Sequence, residues 1–305
     1  MLVYCMLAIT LILALLSMVI IWRNRTKLLS HCWSSFIAGT TLATFVYLYG
    51  TWVFISVYGK YIFGICFLLL LIVSLLAEKV HSSKRTTKKW AIVNGGLAAA
   101  FFILSILYFT GTTTTPYGIA HLALPFKKGT YFVFQGGKGL PTNIFHFGGR
   151  RTVYAMDIIK LNTAGNRAKN IFSKQLEDYE IFNDTIYSPC NGVILKTESN
   201  NPDNIPPARK RGPTNLNQVL IATDSTYIFL GHLKQNSVFV KKGDTVFTGQ
   251  PLGLAGNSGS SLEPHLHIQA HAKTNPNLPW YKEPQLLIKF NGKSYLLFEE
   301  IRTGL

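Results

Sequence analysis

The pattern of apolar and polar positions changes character near Thr110. Before it, Leu, Ile, Phe, Val and Ala run on with little interruption; after it, apolar residues come in short runs broken by Gly, Asn, Pro and Thr. The first part holds four apolar stretches without a charged residue, at 2–22, 32–58, 61–77 and 90–110. A helix of about 20 residues crosses the roughly 30 Å hydrocarbon layer, and the third stretch sits at the lower limit of that length. Residues 1–110 are therefore expected to form about four transmembrane helices.

The basic residues between these stretches give an orientation. Arg23, Arg25 and Lys27 follow the first, and Lys79, Lys84, Arg85, Lys88 and Lys89 follow the third, whereas only Lys60 follows the second. Basic loops stay on the cytoplasmic side. The N-terminus is thus expected outside, and four crossings return the chain to the outside after Thr110. The first stretch does not read as a cleaved signal peptide, because it has no basic leading segment and Trp22 with three basic residues stands where a small-residue cleavage site would be.

Beyond Tyr117 the periodicity is that of short strands between turn residues, at 130–135, 155–161, 192–197, 217–223, 226–232, 237–240, 251–255, 265–270 and 285–290. One weak helix is expected at 168–179, where Phe172 and Leu176 stand four apart. This predicts an all-β domain of the barrel or sandwich kind. The segments "SPCNGVILK" and "VKKGDTVFTGQPLG" place Gly at tight turns, as the hairpins of biotinyl/lipoyl-like barrels and their duplicated hybrid-motif relatives do. A carrier lysine flanked by Met is missing, since none of Met1, Met6, Met18 and Met156 adjoins a lysine. The expected organisation is a membrane region over 1–110, a linker with first strands over 111–140, the main domain over 141–290 and a tail over 291–305.

The net charge of +16 is shared equally between the two parts. A basic β domain suits an anionic surface such as lipid headgroups or a polyanionic wall. No nucleic-acid-binding motif is present, and the expected topology argues against that partner. Of the four cysteines only Cys190 falls in the β part, so no disulfide forms within it, and no C-x-x-C spacing suggests a metal.

The chemistry concentrates in histidines. In a strand, residues two apart face the same side, so His265 and His267 project together into one cleft. They sit at the end of "GQPLGLAGNSGSSLEPHLHIQAH", and upstream "YIFLGHLKQNSVFVKKGDTVFTGQPLG" sets His232 at the end of an apolar run. Over 227–267 this text resembles the C-terminal half of lysostaphin/LytM-type zinc endopeptidases: an aromatic run ending in G-H-L, then V-x-x-G-D-x-V-x-x-G-Q, then P-H-L-H.

The resemblance implies a lysostaphin-like fold, one zinc ion per chain, His267 as a zinc ligand, and His232 and His265 as catalytic histidines that do not bind the metal. The family's remaining ligands usually stand as H-x-x-x-D. Here Asp157 in "YAMDII" supplies the carboxylate, but the residue four before it is Val153. "HFGGRRTVYAMD" is similar to a variant with a longer insert, which implies His146 as the first ligand; His121 is the fallback. His271 continues the alternation beyond the cleft, and His31 and His81 are assigned to cytoplasmic loops.

Such a ligand set leaves a fourth position open for water. Zinc lowers the pKa of that water to about 7 and polarises a carbonyl. One imidazole can take its proton and the other can stabilise the oxyanion. Which of the two does which is open, with His265 favoured as base because it shares a strand with His267. The long loop 198–215, with the basic run Arg209, Lys210 and Arg211, reads equally well as a hairpin tip and as a substrate-groove wall.

The expected function is that of a membrane-anchored zinc endopeptidase cleaving peptide cross-links of bacterial peptidoglycan outside the cytoplasmic membrane. The alternatives are an inactive relative acting as an envelope regulator or scaffold, and a cytoplasmic sugar phosphocarrier, which would lack the H-L-H strand. Oligomeric state is not legible.

Overall fold

A computed structural model describes residues 2–80, 85–112, 116–147, 152–208, 212 and 214–304. His81, Lys84, the insert 148–151 and the run Arg209–Lys210–Arg211 lie outside the described residues. The chain divides into two compact units, Met1–Phe109 and Thr110–Leu305.

The first unit is helical: α1 (Leu2–Asn24), α2 (Leu29–Tyr49), α3 (Val57–Leu76) and α4 (Lys88–Thr110). Three of these, α1, α3 and α4, are long and apolar enough to cross a membrane; α2 is not among them. Ser34, Ser35, Thr40, Thr41 and Thr44 dilute its apolar content, while Cys32, Ala38, Leu42, Ala43 and Val46 are buried. The expected count of four is therefore met by helices but not by spans of membrane-crossing composition.

The expected stretch 32–58 is also cut in two. Gly50 closes α2 by donating its N–H to Val46 O (2.9 Å) and then turns extended, with ψ 135°. A Cβ at Gly50 would lie 2.4 Å from Val46 O and 2.5 Å from the Trp52 indole nitrogen. A one-turn 3-10 helix (Trp52–Phe54) follows, and Ser56 starts α3 by accepting the Tyr58 N–H (3.2 Å). Lys60, expected in a loop, falls inside α3 with its ammonium 5.0 Å from the Tyr47 ring centre. His31 likewise lies in the first turn of α2 rather than in a loop.

The second unit is built of strands: β1 (Gly118–Leu122), β2 (Gly129–Gln135), β3 (Met156–Leu161), β4 (Thr185–Tyr187), β5 (Gly192–Glu198), β6 (Gln218–Ala222), β7 (Thr226–Gly231), β8 (Thr245–Val246), β9 (Pro251–Leu254), β10 (Leu266–Ala272), β11 (Gln285–Phe290) and β12 (Glu300–Thr303). One large sheet runs β12-β2-β3-β10-β7-β6-β5-β8, with β11 bridging β10 and β1, and β4 pairs with β9 apart from it. A single turn of helix, α5 (Ile144–Phe147), lies between β2 and β3.

β10 is the spine. All seven of its residues are buried, against β3 on one side and β7 on the other. Leu266, Ile268 and Ala270 enter the main core with Ile158, Ile228, Leu230, Val219 and Ile221. The alternate residues His267, Gln269 and His271 face the opposite side of the sheet.

The strands at 130–135, 155–161, 192–197, 217–223, 226–232, 251–255, 265–270 and 285–290 are present within a residue or two. Those missed, β1, β4, β8 and β12, are short, so alternation had little length in which to show. The segment expected as a tail holds β12, which pairs with β2 from Glu300↔Phe132 to Thr303↔Gly129. The segment expected as a linker with first strands contributes β1 and β2 to the sheet.

Two expectations are overturned. Residues 237–240 do not form a strand: Ser237 turns its hydroxyl onto Lys234 O (2.8 Å). Residues 168–179 do not form an α-helix but a pinched excursion with a 3-10 turn at Leu176–Asp178, in which Lys169 N–H bonds Asp178 O and Glu180 N–H bonds Arg167 O. Polar side chains decide this. Asp178 accepts from Ser173 (2.5 Å) and Asn170 (3.1 Å), bonds that hold its carboxyl below its usual range, and the buried Arg167 forks onto Glu263 (2.8 and 2.9 Å) while bonding Ile171 O.

Two stability measurements follow, both on the full-length chain in detergent. Leu230→Ala opens a cavity in a fully buried position and should destabilise the β unit by about 2–5 kcal/mol. A shift in its denaturant midpoint worth less than about 1 kcal/mol would contradict the core assignment. Arg167→Lys keeps the charge but cannot make the two-pronged contact, and should lower the unfolding temperature by several degrees.

Candidate active site

Five side chains from four segments converge. β3 supplies Asp157, α5 supplies His146, the end of β7 supplies His232, and the start of β10 supplies His265 and His267. The centre is Asp157 Oδ1. It lies 2.9 Å from His267 Nδ1, 3.4 Å from His146 Nε2 and 3.5 Å from His265 Nε2. The ring centres of His232 and His265 stand 4.5 Å apart, and those of His146 and His267 4.9 Å.

Backbone register explains the meeting of Asp157 and His267. They are directly paired across β3 and β10, so their side chains share a face. His267 is likewise opposite Gly231 of β7, one residue before His232. The chain leaves the sheet at His232 with φ +64°, a left-handed conformation that costs energy in a non-glycine residue. Gly256 N–H holds that turn by bonding His232 O (3.0 Å). His265 precedes the first residue of β10, and the two-residue period brings it to the same side as His267.

Each imidazole has one nitrogen engaged by an outer partner. His146 Nδ1–H donates to Asn143 Oδ1 (2.7 Å), and the orientation of that amide is set because its nitrogen donates to Val153 O and Ala155 O. His232 Nδ1–H donates to Ser258 O (2.7 Å), and His265 Nδ1–H to Glu263 O (2.8 Å). His267 Nε2 meets Gln269 Oε1 (3.2 Å). In the neutral form of each ring the remaining nitrogen is then the one with the lone pair. Phe229 stands edge-on to His267 at 5.9 Å and is itself stacked on Trp280.

The electrostatics follow from this packing. Burial works against charge on Asp157, but His146 and His265 outweigh it and hold the carboxyl well below its usual range. His232 is pushed well below the ordinary imidazole value by burial, reinforced by His265 and His267. Burial also disfavours charge on His265, yet the carboxylate of Asp157 outweighs it and raises the value.

His146, Asp157 and His267 each offer one ligand atom, all within 4.8 Å of one another, and could hold a metal ion. Around a tetrahedral zinc with bonds of about 2.0–2.1 Å, neighbouring ligand atoms stand roughly 3.3 Å apart. Two of the distances, 2.9 and 3.4 Å, are close to that. With the rings neutral, the outer hydrogen bonds leave acceptor facing acceptor across this gap, an arrangement that a cation relieves.

Other sequence candidates stand elsewhere. His121 is exposed in β1 opposite Lys289. His271 is fully buried, donates Nδ1–H to Glu283 O (2.9 Å) and is covered by Trp280. Burial pushes the Cys190 thiol up to about 11, which suits an inert side chain. Sequence reading missed Asn143, Gln269 and Glu263, which orient three of the rings. Gln269 was within reach, being two residues past His267 on the same face.

Residues 177–279 match the model of peptidase family M23. A segment of 91 residues is 31% identical to the peptidoglycan DD-endopeptidase ShyA of Vibrio cholerae, covering 30% of this chain and 18% of that protein. The chain thus spans under a fifth of the length of that relative. Among solved structures, the catalytic domain of the prophage-encoded M23 protein EnpA of Enterococcus faecalis aligns over 54% of this chain and 92% of its own, at 17% identity and TM-score 0.33. The solution structure of lysostaphin aligns over 48% and 46%, at 20% identity and TM-score 0.30. The C-terminal unit of this chain carries a peptidase family M23 domain.

Proposed function

We propose that the chain is a membrane-anchored zinc endopeptidase that hydrolyses peptide bonds of bacterial peptidoglycan. The observation that carries this reading is the convergence of three metal-type donors on one point with two tethered, non-ligand imidazoles beside them. His146 Nε2, Asp157 Oδ1 and His267 Nδ1 would hold one zinc ion, which when bound supplies an acidified water and a Lewis acid for the scissile carbonyl.

The remaining work belongs to the chain. With Nδ1–H tied to a carbonyl, His232 and His265 each present Nε2 to the cleft, so each can accept a proton there or return one. His265 is assigned the base, because its Nε2 stands 3.5 Å from Asp157 Oδ1 beside the ligand set. His232 is assigned the oxyanion stabiliser. Asn143 and Gln269 hold the ligand rings in the tautomers that a cation needs.

An extracytoplasmic position for the β unit is supported by the basic residues after α1 and after α3. It requires α2 to cross as well. At 21 residues and about 1.5 Å per residue, α2 is as long as a crossing demands. A peptidoglycan substrate is supported by the activity of the relative from Vibrio cholerae and by the half of the net positive charge that falls after Thr110, which suits an anionic wall.

Two variants of the full-length, detergent-solubilised protein test the assignment. His146→Ala should lose stoichiometric zinc and all hydrolysis of purified sacculi. Zinc-loaded protein that retains full activity without His146 would sink the ligand assignment. His232→Ala should keep its zinc while kcat falls about 100-fold or more. Wild-type protein that binds no zinc would instead leave a scaffold or regulator.

A further inference from the structure

One stretch of the polar loop between β5 and β6 is held against the body of the β unit. Asn204 is 1% exposed. Its Nδ2 contacts three carbonyls of the loop that leads into β10: Asn257 O (3.1 Å), Gly259 O (2.6 Å) and Ser261 O (3.2 Å). The two loops are stitched further. Asn204 N–H bonds Asn257 O, Asn257 Nδ2 returns a bond to Asn204 O (2.8 Å), and Asp203 accepts the backbone N–H groups of Asn257 (2.6 Å) and Gln235 (3.1 Å).

The three carbonyls held by Asn204 are alternate ones. The carbonyl between the first two, that of Ser258, faces the other way and takes the Nδ1–H of His232. The end of the same loop governs His265: Ser261 Oγ donates to Glu263 O (2.8 Å), the carbonyl that takes the His265 Nδ1–H, and lies 3.2 Å from that nitrogen. Of the two acceptors that fix the non-ligand histidines, Glu263 O is bonded by the last residue of the strip that this amide clamps, and Ser258 O lies on that strip. None of the three candidate metal ligands does.

We propose that Asn204 is a positioning residue for the proton-transfer pair, holding residues 257–261 so that His232 and His265 keep Nδ1 protonated and Nε2 open to the cleft. It is shielded from solvent, so it acts through the two histidines. The inference rests on the functional reading above, but it concerns one half of the site only. Losing the clamp should impair turnover and spare metal binding.

The test compares wild type with Asn204→Ala as full-length protein, reading zinc content, kcat and KM on purified sacculi, and the nitrogen chemical shifts of 15N-labelled histidine rings. The expected result is unchanged zinc, KM within about threefold, a kcat fall of about 10–100-fold, and partial loss of the Nδ1-protonated signal for His232. A folded variant with kcat within twofold of wild type overturns the proposal. So does zinc loss in step with kcat, which would make Asn204 a general support of the fold. If Asn204→Ala does not fold, Asn204→Gln, which keeps the amide but displaces it by one methylene, should give the same pattern. Absence of hydrolysis by zinc-loaded wild type would count against the proposed function, while the ring signals still decide the clamp.

Discussion

The register of β10 between β3 and β7 is the constraint on which the site depends. It sets His267 opposite Asp157 on one side and opposite Gly231 on the other. Because side chains alternate, a slip of one residue would send His267 into the core and expose Leu266 and Ile268. Both of those are fully buried, so the packing that stabilises the sheet also fixes the centre. Gly231 has its own part in this: a Cβ there would come within 2.8 Å of the Phe229 ring, which stands edge-on to His267.

That register and α5 together place three imidazole nitrogens within 3.5 Å of one carboxylate oxygen in a buried setting, an arrangement unfavourable without further support. The support comes from outside the cluster. Asn143, Ser258, Glu263 and Gln269 each occupy one ring nitrogen, from four different places in the chain. The rings arrive already oriented, so little reorganisation remains when charge develops. The strained φ of His232 is tolerated because Gly256 and Ser258 hold it from both sides.

How much of this was legible follows from what kind of signal each part leaves. The apolar helices and most strands are written in periodicity and were read with their approximate bounds. The break at Gly50 was not, because a glycine in an apolar run looks like any other small residue until its neighbours are known. The two-residue rule put His265 and His267 on one side, and the run through His232 carried the family pattern. His146 was reachable only through resemblance, since nothing in local spacing brings residue 146 to residue 157; the short turn α5 and the Asn143 bonds do that. The helix expected at 168–179 failed because a weak apolar pair was outweighed by Ser173, Asn170, Asp178 and the Arg167–Glu263 fork, and periodicity gives polar contacts no weight.

The same blindness hid the loop between β5 and β6. Its Pro, Asn and Asp content reads equally as a hairpin tip and as a groove wall, and neither reading marks Asn204 and Asn217 as buried; Asn217 joins Asn201 to Leu233 O while its N–H bonds the Ser258 hydroxyl. A buried amide with every donor used stabilises a particular backbone path rather than a volume, so it leaves no hydrophobic trace. The site therefore has two supports of different kinds. The half proposed to hold a metal stands on sheet register and on α5. The half proposed to move protons stands on two polar loops stitched together by asparagines. They meet at Asp157 Oδ1, which faces His146 and His267 from one half and His265 from the other, so the position of that single oxygen is where the hydrophobic core and the polar network must agree.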